Sequence, residues 1–224
     1  MARILFVIGT GTSVGKTAIT ALLLEHSLRK SIDVRALKPF CTGERTDAAL
    51  LWDLQNRKIS ISEINPYYFE KPVSAWTAAR LEGREVGFEE ALNFIRCSAS
   101  RCDLLLVEGA GGLLSPLGEK FNAADLIEKI GAEVILVGPN RLGVLNEMLL
   151  SLEVLRNRRS ERIRGALVEH GPVDVSHRTN LDDLKHLARG VEFVSVPFLE
   201  NYIPEAHFIR SNSPLLDSIV EKLL

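Results

Sequence analysis

Nine consecutive residues, Gly9-Thr10-Gly11-Thr12-Ser13-Val14-Gly15-Lys16-Thr17, hold the densest chemistry in the chain. They follow the apolar run Ile4-Leu5-Phe6-Val7-Ile8 and open an amphipathic stretch, which is the setting of a phosphate-binding loop between a strand and a helix. In such a loop the backbone N–H groups, here of Thr12, Ser13, Val14 and Gly15, surround phosphate oxygens at a helix N-terminus. Lys16 would neutralise β/γ-phosphate charge, and the Thr17 hydroxyl would ligate magnesium. The spacing is unusual: Thr10 stands where the common motif has its first glycine, and Gly9 comes one position early.

Ligands of open α/β sheets gather at the carboxyl ends of the strands, so residues at those ends are the next candidates. Lys38 ends the run Asp33–Leu37, and Pro39 restrains it to extended backbone, from which its ammonium can reach the phosphate loop. Asp47 follows the polar stretch Thr42-Gly43-Glu44-Arg45-Thr46 at the start of a helix, where a helix cap is an equally good reading. Glu108 follows the unbroken apolar run Leu104–Val107 and precedes Gly109-Ala110-Gly111-Gly112, a position suited to holding the magnesium of a nucleotide. Taken singly, Lys38 and Glu108 would also suit solvated strand ends.

The elements that must position these groups alternate along the chain. Strands are expected at Ile4–Ile8, Asp33–Leu37, Asp103–Val107, Glu133–Val137, Gly165–Val168 and Glu192–Val196. Helices are expected at Lys16–Lys30, Asp47–Gln55, Phe88–Ser98, Asn122–Ile130, Val144–Arg156 and Asn180–Ala188. Strands without polar alternation are buried on both faces, so the pattern predicts a doubly wound, mostly parallel sheet with helices on each side. At 224 residues, 46% hydrophobic and 25% charged, the chain fits a single α/β domain spanning 1–224 and excludes a disordered or fibrous one. A net charge of −2 leaves no basic excess for nucleic acid or an anionic membrane. No run is long enough to span a bilayer, and the first apolar run is too short for a signal-peptide core. Cys41, Cys97 and Cys102 form no metal or disulfide pattern, which suits a reducing cytoplasm. The stretches Gly83 to Gly87 and Gly171 to His177 read as exposed loops, and the arginine-rich run Arg156 to Arg164 as a solvated helix end.

Read in order, these motifs resemble the dethiobiotin synthetase family. Gly9 to Thr17 fits the family loop G-T-x-T-x-V-G-K-T, including the residue that breaks the common spacing. Lys38-Pro39, Asn65-Pro66-Tyr67, Val107 to Gly112, Leu142-Gly143 with Asn146, and Pro197-Phe198-Leu199 match further family segments. The resemblance implies a P-loop fold, a homodimer with substrate across the interface, and ATP-dependent joining of CO2 to 7,8-diaminononanoate. It implies Lys16 and Lys38 as catalytic cations, Thr17, Asp47 and Glu108 as Mg2+ ligands, and Thr42 near the reacting end of the substrate. Leu142, Gly143 and Asn146 would hold the substrate carboxylate of the neighbouring subunit. Gly109, Ala110 and Gly111 would line the nucleotide site, with Glu169, Pro197, Phe198 and Leu199 about the base.

Two departures from the family pattern stand out. Gly11 and Ser13 occupy loop positions often acidic in the family, and Glu169 stands where many members have an adenine-reading Asn. An ionised Glu only accepts hydrogen bonds, so either nucleotide choice is relaxed, CTP included, or Glu169 faces solvent and backbone near Pro197 reads the base. Two other functions are compatible with the loop: a P-loop ATPase switch of the partition or metallochaperone type, and a ring-closing enzyme for a different diamine. The first often carries an extra lysine early in the loop, which Thr10, Gly11 and Thr12 do not supply.

Overall fold

Strand β1 (Arg3–Gly9) supplies Leu5 and Val7 to one apolar cluster and Phe6 and Ile8 to another, so it is covered on both faces. The computed structural model describes residues 2–169, 174–197 and 203–224. After β1 come α1 (Lys16–Arg29), β2 (Val34–Leu37), β3 (Phe40–Thr42), α2 (Thr46–Leu54), α3 (Ile61–Ile64), β4 (Tyr67–Phe69), α4 (Ala75–Leu81) and α5 (Phe88–Ala99). The chain continues through β5 (Leu104–Gly112), β6 (Pro116–Gly118), β7 (Phe121–Asn122), α6 (Ala123–Ile130), β8 (Glu133–Asn140) and α7 (Val144–Asn157). It ends with β9 (Ile163–Glu169), α8 (Val175–Leu187), β10 (Glu192–Val196), α9 (Ala206–Asn212), a 3₁₀ turn (Ser213–Leu216) and α10 (Asp217–Leu223).

The main sheet runs β10-β9-β8-β1-β5-β2, and every strand pair in it is parallel. Helices α4 to α8 pack on the face that contains Phe6 and Ile8; α1, α2, α9 and α10 pack on the face that contains Leu5 and Val7. The doubly wound parallel fold read from the alternating pattern is therefore present. The connection after β1 leads to β2 at one edge and the connection after β5 leads past β1 to β8 on the other side, which opens a crevice at the carboxyl ends of β1 and β5. Among the described residues no helix is long and apolar enough to cross a membrane.

Two clasps close the structure away from that crevice. Glu133, at the start of β8, accepts hydrogen bonds from Arg3 Nη2 at 2.6 Å, Arg162 at 2.8 Å and Arg164 at 3.1 Å, tying together the first ends of β1, β8 and β9. On the other face Asp217 of α10 meets His26 Nδ1 at 2.6 Å and accepts from Arg29, which locks the last helix onto α1.

Several expectations need correction. The arginine-rich run is not simply solvated: Arg158 donates to Asp125 at 2.6 Å and Glu128 at 2.8 Å, and Arg162 and Arg164 serve Glu133. Helix α8 begins at Val175, so the end of the presumed loop is helical; Asp174 caps it by accepting from the Ser176 and His177 N–H groups. Helix α2 begins at Thr46, and its cap position is Arg45, not Asp47. The parallel pair β3–β4, the β6–β7 hairpin, α3, α4 and the C-terminal helices are additional to the expected elements.

Candidate active site

The loop after β1 owes its shape to two glycines. Gly15 has φ 100°, and a Cβ there would lie 2.9 Å from Val168 Cγ2 of β9, so the left-handed backbone and the close approach both require glycine. A Cβ on Gly9 would lie 2.5 Å from Val14 Cγ2, which explains the early glycine. Thr10 can replace the usual glycine because its side chain leaves the loop. Its N–H donates to Val137 O at 2.9 Å, and its hydroxyl donates to Glu147 Oε2 of α7 at 3.0 Å.

Lys16 folds back over the loop and donates to Gly11 O at 2.6 Å. Burial and the nearby Lys38 charge lower its pKa to about 8, against the opposing pull of Glu108 and Asp47. A buried ammonium held this way is poised for a strong anionic partner.

Lys38, at the end of β2, is the hub of the carboxylates. Its Nζ donates to Glu108 Oε1 at 2.5 Å and Gly109 O at 3.2 Å, and lies 3.0 Å from Asp47 Oδ2. Burial alone would favour its neutral form, but Glu108 and Asp47 overcome that and raise its pKa above the ordinary lysine value, so it is a permanent cation. Burial likewise opposes ionisation of Asp47, yet Lys38, Thr17 and Lys16 together lower its pKa below the ordinary value. Thr17 donates to Glu108 Oε1 at 2.8 Å. Five of the sequence-selected residues, Lys16, Thr17, Lys38, Asp47 and Glu108, are thus brought together from four separate elements.

Asn65 fixes the hub and was not recognised for that role in the sequence. Fully buried, it donates to Lys38 O at 2.8 Å and Pro39 O at 3.1 Å and accepts from Arg45 Nε at 2.7 Å, joining the end of β2 to the start of α2. The signals in the sequence were a polar residue between Ile64 and Pro66 and the Asn65-Pro66-Tyr67 family segment, neither of which states this role.

Lys16, Thr17, Lys38 and Asp47 border a cleft of about 1100 Å³ that runs from Thr12–Thr17 past Thr42 and Asp47 to Ala110, Gly111 and Pro116. Thr42 stands on its wall at the end of β3. The adjacent Cys41 thiol is pushed up to about 12, chiefly by burial, which keeps it protonated and unsuited to nucleophilic attack. At the other end of the cleft are Gly15, Val168, Glu169, Val196 and Pro197. Glu169 does not simply face solvent: its Oε1 accepts from Asn140 Nδ2 at 2.9 Å and Ser195 Oγ at 2.8 Å. Phe198 and Leu199 lie outside the described residues.

Leu142, Gly143 and Asn146 are not on the cleft wall. They form an exposed turn and first helical turn at the N-terminus of α7, where Gly143 takes φ 96° and Leu142 is 77% exposed. One chain therefore keeps these three residues apart from its own Lys38 hub.

A sharp loop after the central strand of a doubly wound sheet, with its lysine and threonine turned toward strand-end carboxylates, defines a P-loop α/β protein of the NTPase type. Comparison with known proteins agrees and narrows the class. Residues 3–206 match the AAA domain family. The chain is 34% identical over 199 residues to the ATP-dependent dethiobiotin synthetase of Bacillus licheniformis, covering 87% of this chain and 83% of that protein. It is 31% identical over 225 residues to that of Bacillus velezensis, covering 98% and 93%. The chain belongs to the dethiobiotin synthetase family. Among solved structures, a plasmid partition protein of Borrelia burgdorferi with AMPPNP matches at TM-score 0.63 and 11% identity, over 100% of this chain and 98% of that one. The MinD cell division protein of Aquifex aeolicus matches at TM-score 0.62 and 13% identity, over 99% and 97%. At such identities the likeness is one of fold.

Proposed function

We propose that this chain, as one domain, is an ATP-dependent dethiobiotin synthetase, a cyclo-ligase acting on 7,8-diaminononanoate and CO2. The observation that carries the reading is the Lys38 ammonium held between Glu108 and Asp47 beside Lys16 and Thr17, at the mouth of the phosphate loop. In the reaction one substrate amine adds to CO2, giving a carbamate and releasing a proton. A carbamate oxygen takes the γ-phosphoryl group of ATP, leaving ADP. The second amine then attacks the mixed-anhydride carbon, expelling phosphate and closing the ureido ring.

The steps need no enzyme nucleophile; they need like charges to be brought together. Lys38, a fixed cation, neutralises the carbamate and developing phosphate. Lys16, on binding β/γ-phosphate, gains the anionic partner its buried ammonium lacks. Thr42 contacts the reacting end of the substrate, and the loop N–H groups of Thr12 to Gly15, with Gly109, Ala110 and Gly111, hold the nucleotide.

Among the described residues no three His, Cys, Asp or Glu side chains form a metal cage. Mg2+ in nucleotide sites is instead held by few protein oxygens plus phosphates. Glu108 Oε2 is buried with no hydrogen-bond partner among the described residues, an oxygen that fits such a cation. Glu108, Asp47 and the Thr17 hydroxyl would hold the ion, which supplies charge neutralisation on the transferring phosphoryl group. The exposed Leu142–Asn146 turn supports a homodimer in which it closes the partner's cleft and holds the substrate carboxylate at a helix N-terminus. Free thiols at Cys41, Cys97 and Cys102 suit a cytoplasmic enzyme.

The test is incubation with Mg2+, ATP, bicarbonate and 7,8-diaminononanoate, with phosphate release and dethiobiotin measured together. Diamine-dependent product, abolished in Lys38→Ala while nucleotide binding persists, is expected. Hydrolysis indifferent to diamine would instead indicate an ATPase switch.

A further inference from the structure

Glu147 lies in the first turn of α7 and bonds in two directions. Its Oε2 accepts from the Thr10 hydroxyl at 3.0 Å, and its Oε1 accepts from Arg141 Nη2 at 2.7 Å. Arg141 in turn donates through Nη1 to Leu142 O at 3.0 Å, inside the turn that ends at left-handed Gly143. The Glu147 N–H donates to Gly143 O at 3.3 Å. One carboxylate thus links the first residue of the phosphate loop to the backbone of the Leu142–Gly143 turn.

This contact gives Thr10 a purpose that phosphate binding does not. A carboxylate in the first turn of a helix is favoured by the helix dipole but opposes an anion received at the same N-terminus. Hydrogen bonds from Thr10 and Arg141 fix Glu147 between these opposing effects.

We propose that Glu147 is a positioning residue that sets the Leu142–Gly143 turn against the phosphate loop. The inference rests on the reading that this turn receives the substrate carboxylate. In a homodimer the two linked pieces serve different substrate molecules: the loop serves its own cleft, and the turn closes the partner's. Glu147 therefore holds the two clefts of the dimer in register.

Steady-state kinetics of purified, folded variants tests the idea. Thr10→Val keeps the size and the backbone N–H and deletes only the hydroxyl. It should raise the KM for diamine about ten- to hundredfold, the loss of one hydrogen bond to a charged group, and by far more than it changes the KM for ATP. Glu147→Ala should do the same, and Thr10→Val with Glu147→Ala should be no worse than Glu147→Ala alone. Glu147→Gln can still accept from Arg141 and donate to Thr10, so it should restore a diamine KM near that of the natural chain. A diamine KM that falls in Glu147→Gln would show a purely electrostatic effect and overturn the proposal, as would Thr10→Val acting equally on ATP. Asn146→Ala separates the two levels. If it raises the diamine KM while Thr10→Val does not, the coupling is wrong and the carboxylate site stands. If Asn146→Ala has no effect, the carboxylate site itself is wrong, and the proposal falls with it.

Discussion

Replacing Lys16 by Met should make the nucleotide-free protein more stable while destroying its activity. The folded structure buries an ammonium whose pKa falls from the ordinary 10.5 to about 8, with burial as the first cause. That difference corresponds to about 3 kcal/mol of unfavourable free energy when the group is charged in the folded state. Between pH 8 and 10.5 the unfolded chain keeps a proton on Lys16 that the folded chain has released, so this penalty fades as pH rises through that window. Met preserves the aliphatic contacts and loses the hydrogen bond to Gly11 O, worth about 1 kcal/mol. The net gain at pH 7 is therefore about 2 kcal/mol, or roughly 4–8 °C in Tm for a chain of this size. Denaturant unfolding of both proteins, in EDTA and without nucleotide, should give that difference at pH 7 and lose most of it by pH 10. Taking the difference matters because Cys41, pushed up to about 12, loses stability over part of the same range in both proteins. A variant less stable than the natural chain at pH 7, or a difference independent of pH, would refute the argument.

Three other substitutions probe separate parts of the structure. Glu133 is held at about 2, first by its hydrogen bond to Arg3 and then by Arg162 and Arg164 against the opposing effect of burial. It contributes about 3 kcal/mol above its unfolded pKa of 4.5, lost as pH falls toward 2; Glu133→Gln should lower stability at pH 7 and flatten the acid limb of an unfolding series. Gly15→Ala forces φ 100° on a residue with a Cβ against Val168, costing about 1–3 kcal/mol and abolishing nucleotide binding by calorimetry. If the Glu169 carboxylate reads the base, ATP and CTP, which both offer an amino group, should have kcat/KM within about tenfold of each other and above UTP. Glu169→Asn should then shift preference to ATP; strict use of ATP by the natural chain would remove that role.

What the sequence revealed and what it concealed follow from range. Leu104–Val107 and Val134–Val137 are buried on both faces, so they appear as unbroken apolar runs that declare a parallel sheet. Strands β3 and β4 are three residues each and pair with one another far along the chain, too short for a periodic signal. Helix α8 buries little beyond Asn180 and Leu184, and its first turn follows Gly-Pro-Val, so its start resembled a loop. The same division holds at the site. Lys16, Lys38 and Glu108 stood out as candidates because each sits at a motif or strand end that chemistry recognises locally, whereas Asp47, at a helix start, was singled out from a cap only by the family resemblance. Glu147, Asn140 and Ser195 reach partners 137, 29 and 26 positions away, which no local pattern marks, and Asn65, though part of a family segment, shows its role only through Lys38 and Pro39, 27 and 26 positions away.

The placement of β1 between β5 and β8 also orders events during folding. The first strand is synthesised early, yet its neighbours span Leu104–Gly112 and Glu133–Asn140, so one edge cannot be filled until half the chain exists and the other until well over half does. Such distant parallel pairings are slow to form because their loops must close before any contact rewards them. Thr10 N–H, which starts the phosphate loop, bonds to Val137 O of the later of those neighbours. Capture of a nucleotide by a nascent or refolding chain would therefore report that the centre of the sheet is finished, and a chain released before β8 would keep an exposed apolar β1 and bind none.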